Sequence, residues 1–464
     1  MKFCPAFLLS LLTCPLVLAE GGGRQREWTS ADGKKITGLM LGTEGDAVAI
    51  KLAATGKSSK IPLSRLSEAD REFVAKEGWP LPKPWKQWPT DIKINLDEIS
   101  VESVAADGKF IYRTQHFEIV SAAELAPAVI KDIGRIFEGT YRLLDASPWG
   151  ILARPKDNHF RAELYRTREA YIQAGAPTNS AGVYMTQRKV FMVPFESLGL
   201  KETPKGWQRT ADYTTKTLIH ELTHMLMDDA LQTMPMWLIE GAAEYMELMP
   251  MRIGAFSPNG HFSALREHNK REPAFPLGKT FPMTQSAWQN GGEEPAPQPE
   301  PAPGPGRATR MTGGMGLAGR SNENIPKLYH AGLLLTYYFI HLDGDGDAAR
   351  LQRFIAASVK NADRIQAYER EGEAYNKAVA EFIKHPDVQD MGGGNYRFPA
   401  TMKPPVPPEF PFDCKPEELP FKELDILLEG RSRETLIHEA AVALERKHLL
   451  AGGGSPDTGN KSGR

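Results

Sequence analysis

Apolar-rich runs at residues 36–41 and 47–52, each bounded by Gly, Asp or Ser, predict two strands of a small β module spanning residues 28–75. Ser67 stands where an N-cap belongs, ahead of a helical turn at 68–73. Residues 79–88, rich in Pro and Trp, read as a linker. A second pattern begins beyond it. Residues 117–120 and 160–165 read as strands, and Val129, Ile133, Ile136, Phe137, Tyr141 and Leu144 recur at the spacing of a helix over 123–144. A helix at 167–174 follows, then a hairpin of strands at 182–185 and 190–193. Two strongly periodic segments, 212–228 and 236–248, predict consecutive helices, with Asp212 and Pro235 as start signals. Helices resume at 325–342 and, after a turn at 343–347, continue to about residue 383. That turn alternates Asp with Gly but lacks the later ligands of a calcium loop, so it reads as a helix connection. Residues 399–420 form a Pro-rich connector, and a last amphipathic helix covers 433–449.

Composition adds what periodicity leaves out. Residues 293–301 are low in complexity and rich in Pro and Glu, and the Gly- and Met-containing run after them cannot build a core, so 289–324 is expected to be a disordered surface insertion. Lys2 followed by an almost wholly apolar run at 3–18, with Val17-Leu18-Ala19 before a cut, predicts an export signal over residues 1–19. Pro5 and Pro15 interrupt that run, which is too short for a membrane span, and no transmembrane helix is expected in the mature chain. An uncleaved anchor is the other reading, and lipid attachment at Cys14 a third, although Leu11-Leu12-Thr13 suits it poorly. Of the three cysteines only Cys414 lies beyond this segment, so an internal disulfide is excluded and a packed thiol is expected. The formal net charge of −2 gives no reason to expect nucleic acid or a polybasic membrane anchor.

The candidate chemistry lies in the consecutive helices. His220-Glu221-Leu222-Thr223-His224 places two imidazoles one turn apart on one helical face, a spacing that can chelate one tetrahedral ion. Glu221 flanks the same site, placed to take a proton from water without occupying a coordination position. Leu218, Leu222, Met225 and Leu226 supply an apolar face on the other side. The alternative is an amphipathic helix with two idle histidines. Trp237-Leu238-Ile239-Glu240-Gly241-Ala242-Ala243-Glu244-Tyr245 weighs against it by bringing two carboxylates one turn apart on the next helix. Two imidazoles and one carboxylate leave zinc an open position, as hydrolysis requires. Spacing alone allows either Glu240 or Glu244 as the third ligand.

Residues 220–224 with 237–245 resemble the gluzincins, the thermolysin-like and aminopeptidase-like zinc peptidases. The resemblance extends loosely over about 117–383. It implies Zn²⁺ held by His220, His224 and Glu240, Glu221 as general base, and Glu244 supporting a ligand histidine. The Trp-Leu-x-Glu-Gly context favours Glu240, although the interval from His224 is shorter than in thermolysin. It also implies an edge strand at 190–193 along which peptide would lie. Tyr329 and His330 are candidates to stabilise an oxyanion, while His261, His268, His341 and His438 show no partner pattern. The N-terminal module, through Arg26-Glu27-Trp28-Thr29, Asp32-Gly33-Lys34, Ile61-Pro62-Leu63-Ser64 and Leu66-Ser67-Glu68-Ala69-Asp70, resembles the Sla-type homology domain, an SH3-like barrel.

The expected organisation is therefore α+β: a signal peptide at 1–19, an SH3-like domain at 24–78, a linker at 79–109 and a zinc metallopeptidase domain at 110–385 with a mainly helical C-terminal part. A Pro-rich connector and helix at 386–450 and a disordered tail at 451–464 complete it. The expected activity is hydrolysis of peptide or protein substrates outside the cytoplasm, with a cell-envelope ligand for the N-terminal module. The competing expectation is a catalytically silent zinc-containing protein that binds peptide or envelope polymer.

Overall fold

The computed structural model describes residues 25–450 apart from 86, 107, 150–151, 179, 211–213, 253, 272, 294–322 and 392–395. The expected signal at 1–19, Asp212, most of the 289–324 insertion and the 451–464 tail lie outside the described residues.

The chain opens with β1 (Gln25–Thr29), β2 (Lys35–Glu44), β3 (Ala47–Leu52) and β4 (Ser58–Pro62), an antiparallel sheet in sequence order. Trp28, Met40, Val48 and Ile50 form its buried side. α1 (Glu68–Glu77) starts at Ser67, whose side chain accepts the Asp70 amide. The buried Asp70 carboxylate accepts the Thr29 amide at 2.7 Å and pairs with Arg26 at 2.8 Å, which ties the helix to the first strand.

Within 79–88, expected as a linker, the three tryptophans pack onto the protein. Trp79 is fully buried. The indole of Trp85 donates to the Ala146 carbonyl at 3.3 Å and that of Trp88 to the Tyr245 hydroxyl at 3.0 Å. The prolines disfavour regular structure here, but the indoles of Trp85 and Trp88 gain both burial and a partner by lying on the body of the protein. After β5 (Ile92–Lys93) the chain enters a six-stranded sheet at β6 (Glu102–Ala106), earlier than the sequence suggests.

That sheet adds β7 (Lys109–Arg113), β8 (Phe117–Ser121), β9 (Phe160–Tyr165), β10 (Val183–Met185) and β11 (Val190–Pro194), in spatial order β10-β11-β9-β8-β7-β6. β8 and β11 run parallel to β9, and the other pairs are antiparallel. α2 (Pro127–Asp145) is the crossover from β8 to β9. It buries Ile130, Ile133, Ile136, Phe137 and Leu144, and Phe137 meets Phe117 edge-on at 5.1 Å. α3 (Arg168–Gln173) follows β9, and β12 (Leu200–Thr203) and β13 (Gly206–Arg209) form a hairpin. The strand expected at the sheet edge, 190–193, is instead internal as β11, and β10 is the edge. Val190-Phe191-Met192-Val193 is buried at every position, as suits a strand covered on both faces.

The helical half comprises α4 (Lys216–Leu231), α5 (Met236–Glu247), α6 (His261–Asn269), α7 (Leu277–Thr280), α8 (Gln285–Gln289), α9 (Ile325–His341), α10 (Ala349–Phe382), α11 (Leu424–Leu428) and α12 (Arg433–Arg446). β14 (Met251–Arg252) and β15 (Ala255–Phe256) pair back onto β5. α4 lies between the halves, packed on α2, β10 and β11 on one side and on α5 and α10 on the other. α5 crosses α9 at Gly241 and Gly332, where a Cβ on Gly241 would stand 2.2 Å from the Gly332 carbonyl oxygen. Two glycines therefore let the helix backbones touch beside Glu240. The turn at 343–347 is a helix connection: the buried Asp343 carboxylate pairs with Arg350 at 2.7 Å and Arg431 at 3.0 Å. The architecture is mixed α+β with an N-terminal antiparallel sheet. Among the described residues no helix is long and apolar enough to cross a membrane.

Candidate metal centre

α4 and α5 carry the centre on facing sides. Leu218, Leu222, Met225 and Leu226 bury α4 against its neighbours and fix the opposite orientation of His220 and His224. Their rings lie 4.9 Å apart at 79° to one another. Glu240 meets both: its Oε2 is 3.4 Å from Nε2 of His220 and 3.4 Å from Nε2 of His224. Three nitrogen and oxygen ligands bonded to one tetrahedral zinc stand about 3.3 Å from one another, because the bonds are about 2.0–2.1 Å long. The two distances from Glu240 match that value, and all three ligand atoms lie within 4.8 Å of one another. Oε2 of Glu240 is shut off from solvent and, beyond the two imidazoles, meets no hydrogen-bond donor among the described residues. That is how a ligand atom is expected to stand.

Electrostatics point the same way. Burial would push the Glu240 carboxyl up, but His224 and His220 reverse this and hold it at about 2. Burial would depress His220, yet Glu240, Glu247 and Glu244 raise it well above the usual imidazole value. A pocket of excess negative charge around two imidazoles favours a cation.

Glu221 stands outside the set of converging ligand atoms. Its Oε2 accepts the backbone N–H of Tyr184 on the edge strand β10 at 3.3 Å. Burial raises its carboxyl, against the opposing pull of the two histidines. A carboxylate held here, with a raised pKa, suits proton transfer at neutral pH.

Glu244 faces the other side of His220, with Oε1 3.6 Å from Nδ1. Glu247, which sequence reasoning missed, places Oε2 3.3 Å from the same nitrogen. The signal was present: 240, 244 and 247 fall on one helical stripe. An acid at the end of a helix reads as solvated surface, and only the fold shows what lies opposite it. Burial pushes the Glu244 carboxyl up to about 7, with His220 opposing and the neighbouring Glu247 adding to the rise.

Of the two oxyanion candidates the structure brings Tyr329 to the centre. Its ring meets that of His220 edge-on at 6.0 Å and has Trp288 at 6.0 Å. Burial, then Glu240, Glu221 and Glu244, raise its phenol well above the usual value, so it stays a donor. His330 is fully buried and faces His268 at 4.9 Å. His261 and His341 are core groups around Tyr245: His261 Nε2 is 2.9 Å from its carbonyl and His341 Nε2 is 2.8 Å from its hydroxyl. Cys414 packs beside Ile365, Phe412 and Leu419.

Comparison with family profiles, with curated proteins and with solved structures returns no match for this chain.

Proposed function

We propose that this chain is an exported, zinc-dependent peptidase of the gluzincin type. The observation that carries the reading is the meeting of His220 Nε2, His224 Nε2 and Glu240 Oε2 at 3.4 Å beside Glu221, a carboxylate that stays out of the ligand set. His220, His224 and Glu240 would hold the ion. Bound there, zinc supplies Lewis acidity, polarising a carbonyl and bringing the pKa of water down to roughly 7.

The remaining work belongs to the chain's own groups. Glu221 takes the proton of the attacking water and returns it to the leaving nitrogen. The Tyr329 phenol donates to the carbonyl oxygen as negative charge develops on it. The free edge of β10 lies beside Glu221, so a peptide laid along it as an added strand would carry its backbone past the base. The apolar run at 3–18 supports export, and the N-terminal sheet supports an SH3-like module that contacts an envelope ligand.

The competing reading, a silent zinc-containing binding protein, needs no base at Glu221 and leaves it only the Tyr184 N–H to accept. The test is hydrolysis of unfolded protein and peptide mixtures by purified protein, followed by mass spectrometry. Cleavage that stops on chelation and returns with zinc is the expected result. Binding of peptides without any cleavage by zinc-loaded protein would favour the competing reading.

A further inference from the structure

We propose that Glu247 is the positioning residue for His220. Its carboxylate receives the Nδ1–H and so holds the ring in the tautomer and orientation that turn Nε2 towards Glu240. This rests on the metal-centre reading above, and it moves to Glu247 a place that the sequence assigns to Glu244.

Distance ranks the two acids: Glu247 Oε2 is 3.3 Å from Nδ1, just past the usual limit of about 3.2 Å for an N–H···O bond, and Glu244 Oε1 stands farther off at 3.6 Å. A neutral imidazole that ligates through one nitrogen offers one N–H, so one acceptor takes it. The register of α5 explains the arrangement. Glu240 reaches the Nε2 side of the ring, and the residues one and two turns further along the same stripe reach its Nδ1 side. Glu247 is the last residue of α5. Lys216 of α4 and His268 of α6 lie near enough to act on its charge.

The two histidines differ in their need for such a partner. His224 is 2% exposed, and its Nδ1 has no hydrogen-bond acceptor among the described residues, so on that side of the ring packing does the holding. His220 stands at the rim, 9% exposed, where a polar hold does what packing does for His224. Partners of ligand histidines act through ligand orientation and basicity, and their loss typically weakens metal binding about 10–100-fold.

The experiment compares wild type with Glu247→Leu, Glu247→Ala, Glu247→Gln and Glu244→Ala. Zinc affinity is read by competition with a chromophoric chelator, ligand geometry from the visible spectrum of the Co²⁺-loaded protein, and folding from the melting temperature of the metal-free protein. Glu247→Leu and Glu247→Ala should weaken zinc about 10–100-fold and alter the Co²⁺ spectrum while the metal-free protein still melts in one cooperative step. Glu247→Gln should recover most of the affinity, because its amide oxygen still accepts the N–H. Glu244→Ala should stay within a few-fold of wild type. Should Ala destabilise the helix end, Leu keeps the helix and still lacks an acceptor. Wild-type affinity in Glu247→Leu, or a greater loss in Glu244→Ala, overturns the assignment while leaving the centre intact. Failure of wild type to bind zinc or Co²⁺ overturns the centre itself.

Discussion

Removing either imidazole leaves the other with Glu240 alone, two protein ligands where a hydrolytic zinc site uses three. Purified protein should carry about one zinc per chain, and His220→Ala or His224→Ala should lose it. Elemental analysis checks this, and stoichiometric zinc in the double variant would contradict it. Glu240→Ala should weaken binding more than Glu244→Ala, since only Glu240 faces both Nε2 atoms. A different pair of residues bears on behaviour in acid. Burial depresses His261 to about 4 and His341 to about 3. The unfolded chain binds these protons below about 6.5 and the folded chain does not. Above that pH the two states hold the same protons, and as pH falls towards 4 stability is lost by up to about 1.4 kcal/mol per unit for each histidine. Glu244, pushed up to about 7, takes up its proton on folding and works the other way, so the test is a difference: between pH 6.5 and 4 the melting temperature of metal-free His261→Gln/His341→Gln should fall less, or rise more, than that of wild type. An unchanged slope in that variant would mean that other groups carry the acid response.

At the scale of elements, α4 and α5 were legible because the imidazole spacing, the apolar face and the Pro235 start signal all agree. The crossing of α5 on α9 was not, because it depends on two glycines distant in sequence, each of which looks like a weak point in its own helix. Gly241→Ala separates the effects. Ala favours an isolated helix by about 1 kcal/mol over Gly, yet here its methyl would press on the Gly332 carbonyl and on the Thr336 hydroxyl, 2.4 Å away. Overpacking typically costs about 1–3 kcal/mol, so the variant should melt lower and, with Glu240 displaced, bind zinc less tightly. A rise in melting temperature would show that the helices separate freely. β6, β12 and β13 escaped the sequence reading for another reason. They lie at a sheet edge or in a lone hairpin, where one strand face needs no apolar residues, so Glu102-Ser103-Val104-Ala105 carries no strong pattern. The expectation of an edge at 190–193 failed because pairing order is a tertiary fact that a strand's own residues do not state.

For the whole molecule, the sequence suggests a module joined to an enzyme by a linker, whereas the structure docks the N-terminal sheet on the helical half. Glu429 pairs with Lys51 of β3 at 3.2 Å and with Arg353 at 3.1 Å, and also with Arg350. Glu77 of α1 faces Arg364 and Lys422. Long-range charge pairing of this kind has no local signature. Unfolding should be one calorimetric transition, and Glu429→Ala, which removes the carboxylate facing Arg353 and Lys51 while Arg350 keeps Asp343, should destabilise by about 3 kcal/mol. Two separate transitions in wild type would show that the sheet folds on its own. Under the proposed function, activity is the property in which all these parts meet, and it would turn on Glu221. The Glu221→Gln variant preserves shape and alters none of the three converging ligand residues, so it should retain zinc and fold. Its amide cannot take a proton from water at neutral pH, and loss of a general base costs about 10²–10⁴-fold. The decisive measurement is the rate of cleavage of one peptide by wild type and Glu221→Gln at matched zinc content. A fall of at least about 10²-fold with peptide binding retained is the predicted result, and equal rates would contradict the account.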